Sequence, residues 1–179
     1  MPSPNFSKLN IGSSSITGEF KREGWLSIDI CKSFKVLPMS GTELGFRDNT
    51  FEVIKAIHVL EHINRNYSQQ LVDECYRTLQ PKGTCYVEVP DFQEVALRYI
   101  TKLKEGGDKA AHCWLTSIYG KQRYQGDAHN WGFTQTSLLA LFQTAGFSNV
   151  QCFKSTTHPK KMISSHHKQE PVILAVGRK

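Results

Sequence analysis

The chain has 179 residues, 39% hydrophobic and 21% charged, globular proportions that exclude a disordered or collagen-like polymer. No apolar run approaches the roughly 18 residues of a membrane helix, and Met1 to Phe6 lack the basic and apolar regions of a secretory signal, so neither is expected. The formal charge is +6, but Lys154 to Lys179 hold six Lys or Arg against one Glu, which is +5 and leaves +1 for everything before.

The excess charge thus sits in a C-terminal segment that reads as a solvated basic loop rather than a patterned nucleic-acid surface. Cys31, Cys75, Cys85, Cys113 and Cys152 are odd in number and scattered, with no C-x-x-C pair. They predict buried free thiols in a reducing cytoplasm, with neither a disulfide framework nor a zinc site.

In chain order, residues 1–7 read as a disordered start and 8–179 as one domain. Lys8 to Gly12 is a short strand ending in glycine, and Ser13 to Gly18 is a loop. Gly24 to Ile30 is a second strand with apolar residues alternating until Asp29 interrupts. Phe34 to Leu37 is a weak third strand, which Pro38 places at an edge or an end. Asp48-Asn49 is a turn, and Thr50 to Ile57 is a β-branched apolar run of strand length.

Asn66 to Gln80 is predicted helical, capped by Asn66 or Ser68 and stopped by Pro81-Lys82-Gly83. Thr84 to Val89 is the next strand, and Phe92 to Lys104 a helix with Val95, Leu97 and Ile100 on its apolar face, broken at Gly106-Gly107. Residues 105–133 read as a lid or substrate loop, with a helix expected from Ala110 to Ile118 before the aromatic stretch Tyr119 to Phe133, because long aromatic loops in compact domains are usually functional. Thr134 caps a helix to Ala145 with Gly146 just past its end, and Asn149 to Phe153 and Val172 to Val176 close the chain as strands. Alternating strands and helices predict a Rossmann-like α/β fold: a doubly wound, mostly parallel sheet with helices on both faces and a C-terminal antiparallel hairpin.

Open α/β sheets bind ligands at the carboxyl ends of their strands. Gly12 there would let the backbone turn tightly beside a ligand, and Asp29 could accept bonds from both ribose hydroxyls. A dinucleotide loop needs further glycines to seat pyrophosphate. Ser13, Ser14 and Ser15 stand in their place, which favours a nucleoside with an amino-acid tail over NAD.

Several segments then carry a resemblance. Leu9-Asn10-Ile11-Gly12, Gly24 to Ile30, Phe46 to Ile54, His58-Val59-Leu60-Glu61-His62, Leu79 to Thr84, Val89 to Phe92 and Ala145-Gly146-Phe147 resemble, in order, the blocks of class I S-adenosylmethionine-dependent methyltransferases. The chain is most similar to the methyltransferase type 11 group, which includes members among glycan-biosynthesis enzymes. The resemblance implies that Gly12, Ser13 and Ser14 hold the methionine tail of S-adenosylmethionine and Asp29 its ribose. It implies that Ile30 flanks the adenine, Ser40 and Gly41 approach the adenine amine, and Ile57 and His58 line the sulfonium. The acceptor would be a small-molecule or glycan hydroxyl.

Transfer to a hydroxyl requires alignment and a base. His58, His62, Asp91 and His129 are the candidates, with His129, His62 and Asp91 assigned as catalytic. His58, Glu61 and His62 would share one face of a helix, but without a fourth ligand no metal is assigned. The alternative is a non-catalytic protein of this fold that uses its basic C-terminal segment on an acidic partner or RNA.

Overall fold

A computed structural model describes residues 6–12, 24–30, 36–154 and 170–179. Seven strands form one sheet: β1 (Lys8–Ile11), β2 (Trp25–Asp29), β3 (Leu37–Pro38), β4 (Phe51–Ile57), β5 (Leu79–Pro90), β6 (Ser148–Lys154) and β7 (Val172–Arg178). Their spatial order is β3-β2-β1-β4-β5-β7-β6. The pairings from β3 to β5 are parallel, and β7 runs antiparallel to both β5 and β6. This is the predicted arrangement, with the returning strand of the hairpin inserted between its partner and the parallel block.

Register puts chemically alike residues in rows. Leu26, Leu9, Ile54 and Cys85 are neighbours across β2, β1, β4 and β5, and Ile28, Ile11, Ala56 and Val87 form the next row. These side chains join Leu71, Val72 and Cys75 of α1 (Arg65–Thr78) and Leu138 and Phe142 of α3 (Gln135–Ala145) in one core. Burying such apolar surface stabilises the fold by roughly 25 cal/mol per Å². The alternate residues Ser27, Asn10 and Lys55 form a polar row that is also buried, and the Lys55 ammonium lies 4.9 Å from the centre of the Trp25 ring.

The helices differ in detail from their expectation. Asn64, not Asn66 or Ser68, caps α1 by accepting a bond from the Asn66 amide. The helix ends at Thr78, earlier than Pro81 demands, because Leu79 enters the sheet opposite Phe51. The second helix, α2 (Phe92–Tyr119), runs past Lys104 and, beyond a kink at Gly106-Gly107, takes in the helix expected from Ala110 to Ile118. Gly106 and Gly107 do break its geometry, Gly107 at φ +67°. Leu97 and Ile100 are exposed, not apolar-face members of a core, whereas Val95 is buried. Thr134 and Gly146 cap α3 as predicted, Gly146 in the left-handed conformation.

Cys75 and Cys85 are buried, and the hydrogen bond between the two thiols, together with burial, pushes the Cys85 thiol up. Cys113 is exposed, against the expectation of uniformly buried thiols, because it lies on the outer part of α2. Cys31, Ser13, Ser14 and most of the basic segment fall outside the described residues. No described helix is long and apolar enough to cross a membrane.

The segment between β3 and β4 is fastened to α1 by one arginine. Arg77 donates to the carbonyls of Leu44 and Phe46, to Asp48 and to both oxygens of Glu74. Glu74 also accepts the Leu44 amide at 2.7 Å. Arg77→Ala is expected to cost about 2 kcal/mol in denaturant unfolding at neutral pH, since it strands several acceptors at once. Arg77→Lys should rescue little, because an ammonium cannot reproduce the planar fork. The hydrogen bonds from Arg77 hold the Glu74 carboxyl below its ordinary value of 4.5, against the opposing effect of burial. Its stabilisation is therefore complete above that value and is lost as pH falls through the lowered one. The difference between wild type and Arg77→Ala should shrink in acid; a constant difference would dissociate the pair from stability.

Candidate active site at the strand tips

The carboxyl ends of β2, β1 and β4 meet at Gly12. Its amide donates to the Ile28 carbonyl at 2.9 Å, and it adopts φ +72°. A Cβ placed there would lie 2.1 Å from Val59 Cγ2. The glycine is thus held between the end of β2 and the turn after β4, the close approach that its side-chain-free backbone permits. Asp29 ends β2 in register with Pro38, and its carbonyl accepts the Met39 amide. Exposed Ile30 follows, with its Cδ1 3.6 Å from where a Cβ on Gly126 would stand. The loop after α2 therefore reaches over the end of β2.

Gly41 packs close to Ile11 and Leu71, which brings the start of the β3–β4 connection to the tip of β1. The Ser40 hydroxyl lies 2.8 Å from that of Thr42 and accepts the Thr42 amide, inside a local turn.

β4 delivers Ile57 and then His58, a non-glycine residue at φ +54°. Such a conformation costs of order 1 kcal/mol and clusters at functional sites. The His58 amide bonds the Glu88 carbonyl. Its ring reaches Glu61 at 3.1 Å through Nδ1 and Glu88 at 3.5 Å through Nε2. Burial disfavours the charged ring, but the Glu61 hydrogen bond and the charges of Glu61 and Glu88 outweigh it and raise His58 to about 9. For Glu61, burial is likewise overcome by the bond and charge of His58, which hold it low. Burial dominates at Glu88 and pushes it up to about 7, against the attraction of His58.

Leu60–His62 form a single 3-10 turn. His62 Nδ1 bonds the Ala128 carbonyl, and His129 Nδ1 bonds the Ser117 carbonyl, both at 3.0 Å. The two rings meet edge to face at 4.8 Å. Burial pulls His129 down, with the neighbouring His62 also disfavouring a charge there and Glu61 opposing. The loop is stitched to the turn by Asn130 and Trp131, whose amides donate to the Glu61 carbonyl, and by the Asn130 side chain on the His62 carbonyl. Glu61, Pro90, Phe92, His129, Trp131 and Gly132 line a small pocket there.

Asp91 is engaged otherwise. One oxygen caps α2 at the Glu94 amide, and the other pairs with Lys154 at 3.5 Å. Of the three residues assigned as catalytic, His62 and His129 are brought together, and Asp91 is anchored at the helix start. Sequence reasoning missed Glu88 and the contact of Val59 with Gly12. A carboxylate between Val87 and Val89 in an apolar strand was the available signal for Glu88; nothing local marked Val59.

Residues 14–87 match the family described as "Methyltransferase domain". A SAM-dependent methyltransferase from Archaeoglobus fulgidus superposes with TM-score 0.64 at 15% identity, over 99% of this chain and 87% of that one. The chain thus has the fold of the SAM-dependent methyltransferases, and part of it matches a methyltransferase domain. A 1,6-didemethyltoxoflavin-N1-methyltransferase from Burkholderia thailandensis, with bound 1,6-didemethyltoxoflavin and S-adenosylhomocysteine, superposes with TM-score 0.60 at 12% identity over 96% and 70%. A SAM-dependent methyltransferase from Methanosarcina mazei gives 0.57 at 14% over 96% and 91%. No curated protein shows a significant match to the chain.

S-adenosylmethionine is the cofactor that the methyltransferase-domain match supports, and the residues at the strand tips fit it. Gly12 turns the backbone in the left-handed region at the tip of β1, and Asp29 supplies a carboxylate at the adjoining strand end. When bound, the cofactor supplies an electrophilic methyl group on a sulfonium.

Proposed function

We propose that this methyltransferase methylates a hydroxyl of a small molecule or glycan, in a reducing cytoplasm. The observation that carries the reading is the convergence of Gly12, the end of β2 and the His58–Val59 turn on one point. Gly12 and Ser13-Ser14 would receive the methionine tail, Asp29 the ribose, Ile30 and Ser40-Gly41 the adenine, and Ile57 and His58 the sulfonium side. The acceptor would lie on the other side of that turn, against His62 and His129. Each of those rings donates from Nδ1 to a carbonyl, which leaves Nε2 with a lone pair to accept or polarise an acceptor proton.

Of the lid or substrate loop expected over 105–133, residues 120–133, beyond the end of α2, would act as the lid. The loop is tied to the turn after β4 by backbone bonds rather than by side-chain packing alone, and it presents half-exposed Trp131 at the pocket. Aromatic faces with a polar edge suit a polyhydroxylated acceptor. Unpaired thiols at Cys75, Cys85, Cys113 and Cys152 agree with a reducing compartment.

Titration calorimetry with S-adenosylmethionine and its demethylated product tests the donor half, and labelled methyl transfer onto sugar and metabolite pools tests the acceptor half. No donor binding at millimolar ligand would overturn the reading. His129→Ala is expected to lower turnover about 100-fold while donor binding is retained. Full activity in that variant would remove His129 from the acceptor site.

A further inference from the structure

We propose that Glu61, His62 and His129 bind a divalent first-row transition ion of the zinc class. One potential ligand atom from each residue lies within 4.8 Å of the other two. The same three residues come from the turn after β4 and from the loop after α2, segments that the chain separates by more than sixty positions but that backbone bonds hold together.

Three observations point to an ion rather than to a chance cluster. The Nδ1 atom of each histidine is committed to a backbone carbonyl, at Ala128 and Ser117. That is the outer-shell bond that fixes tautomer and ring orientation in metal-binding histidines, with Nε2 left as the ligand nitrogen. Glu61 is buried, and while its Oε1 is bonded by His58, its Oε2 has no hydrogen-bond partner among the described residues. A buried carboxylate oxygen left unbonded is costly and calls for a ligand. Third, the set is two imidazoles and one carboxylate, which suits zinc-like ions and leaves a coordination position open, whereas calcium and magnesium prefer all-oxygen sites.

Donors about 2.1 Å from a tetrahedral ion stand roughly 3.4 Å apart, so the cluster must close by a little over an ångström on binding. From the sequence, His58, Glu61 and His62 share a face to which no metal is assigned. The structure replaces His58 by His129, because His58 lies before the 3-10 turn and is bonded to Glu61 and Glu88 instead. The open position lies beside the pocket lined by Glu61 and His129, so an acceptor oxygen is the group it would take. With the ion bound, the two Nε2 atoms would hold the ion, and the ion, rather than the imidazoles, would polarise that oxygen. This last point rests on the proposed function, and the ion site does not.

The test uses tag-free full-length protein, stripped with chelator and titrated with Co²⁺. One equivalent should produce visible d–d absorption of a four- or five-coordinate site, displaced by Zn²⁺, and Zn²⁺ should raise the melting temperature. His62→Gln and His129→Gln should each weaken Co²⁺ binding at least roughly 100-fold. Absence of the band in the wild type, or unchanged Co²⁺ affinity in His129→Gln, would overturn the site. S-adenosylhomocysteine binding measured on the same stripped protein separates the two readings. Donor binding without a cobalt band sinks the ion site alone; a cobalt band lost in both variants but no donor binding upholds the ion site while the proposed function fails.

Discussion

Asp29→Ala is expected to weaken S-adenosylmethionine binding roughly a thousand-fold. Asp29 closes β2 one strand away from the centre of the site, and its backbone bonds, not its side chain, carry the sheet register. A ribose donating two hydroxyls to one carboxylate makes two charge-assisted hydrogen bonds, each contributing about 1.5–3 kcal/mol. Their joint loss is about 4 kcal/mol, which is the thousand-fold change. Asp29→Asn should recover part of the affinity, since its amide oxygen still accepts one bond without the charge. Calorimetric titration with S-adenosylhomocysteine reads both variants; an unchanged dissociation constant in Asp29→Ala would take the ribose away from this residue.

Gly12→Ala is expected to destabilise the protein by about 3 kcal/mol and to impair donor binding in whatever remains folded. Two effects add. The backbone is at φ +72°, where an L side chain costs about 1 kcal/mol. The new methyl would also stand 2.1 Å from Val59 Cγ2, a contact that only displacement of the turn after β4 can relieve, and overpacking of this kind costs about 1–3 kcal/mol. Val59→Ala removes the clashing methyl, so the double variant should regain the steric part and keep the backbone part. Denaturant unfolding of the single and double variants checks this. Equal stability of Gly12→Ala and of the double variant would mean that Val59 is not the obstacle.

The scaffold was legible because periodicity is a local property. Alternation in Leu26 to Ile30 and the apolar run from Phe51 to Ile57 reappear as β2 and β4, and the Thr134 and Gly146 caps bound α3 as read. The errors arise where long-range pairing outweighs local preference. Leu79 to Gly83 carry turn residues, yet they extend β5 because Leu79 finds Phe51 across the sheet. In α2, Leu97 and Ile100 recur at helical spacing but face outward; spacing identifies a face without saying whether anything covers it.

By itself the sequence determined the order of strands and helices, the glycine at the first strand tip, the acid at the second and the histidine-rich turn after the fourth. All of these are set by residue type within a few positions. Only the tertiary structure decided which histidine stands beside Glu61 and His62 to complete their cluster. His129 is joined to them by the Asn130 and Trp131 amides on the Glu61 carbonyl and by an edge-to-face ring contact with His62. Nothing within a few residues of His129 encodes that meeting, because the partners are fixed by how α2 returns the chain across the end of the sheet.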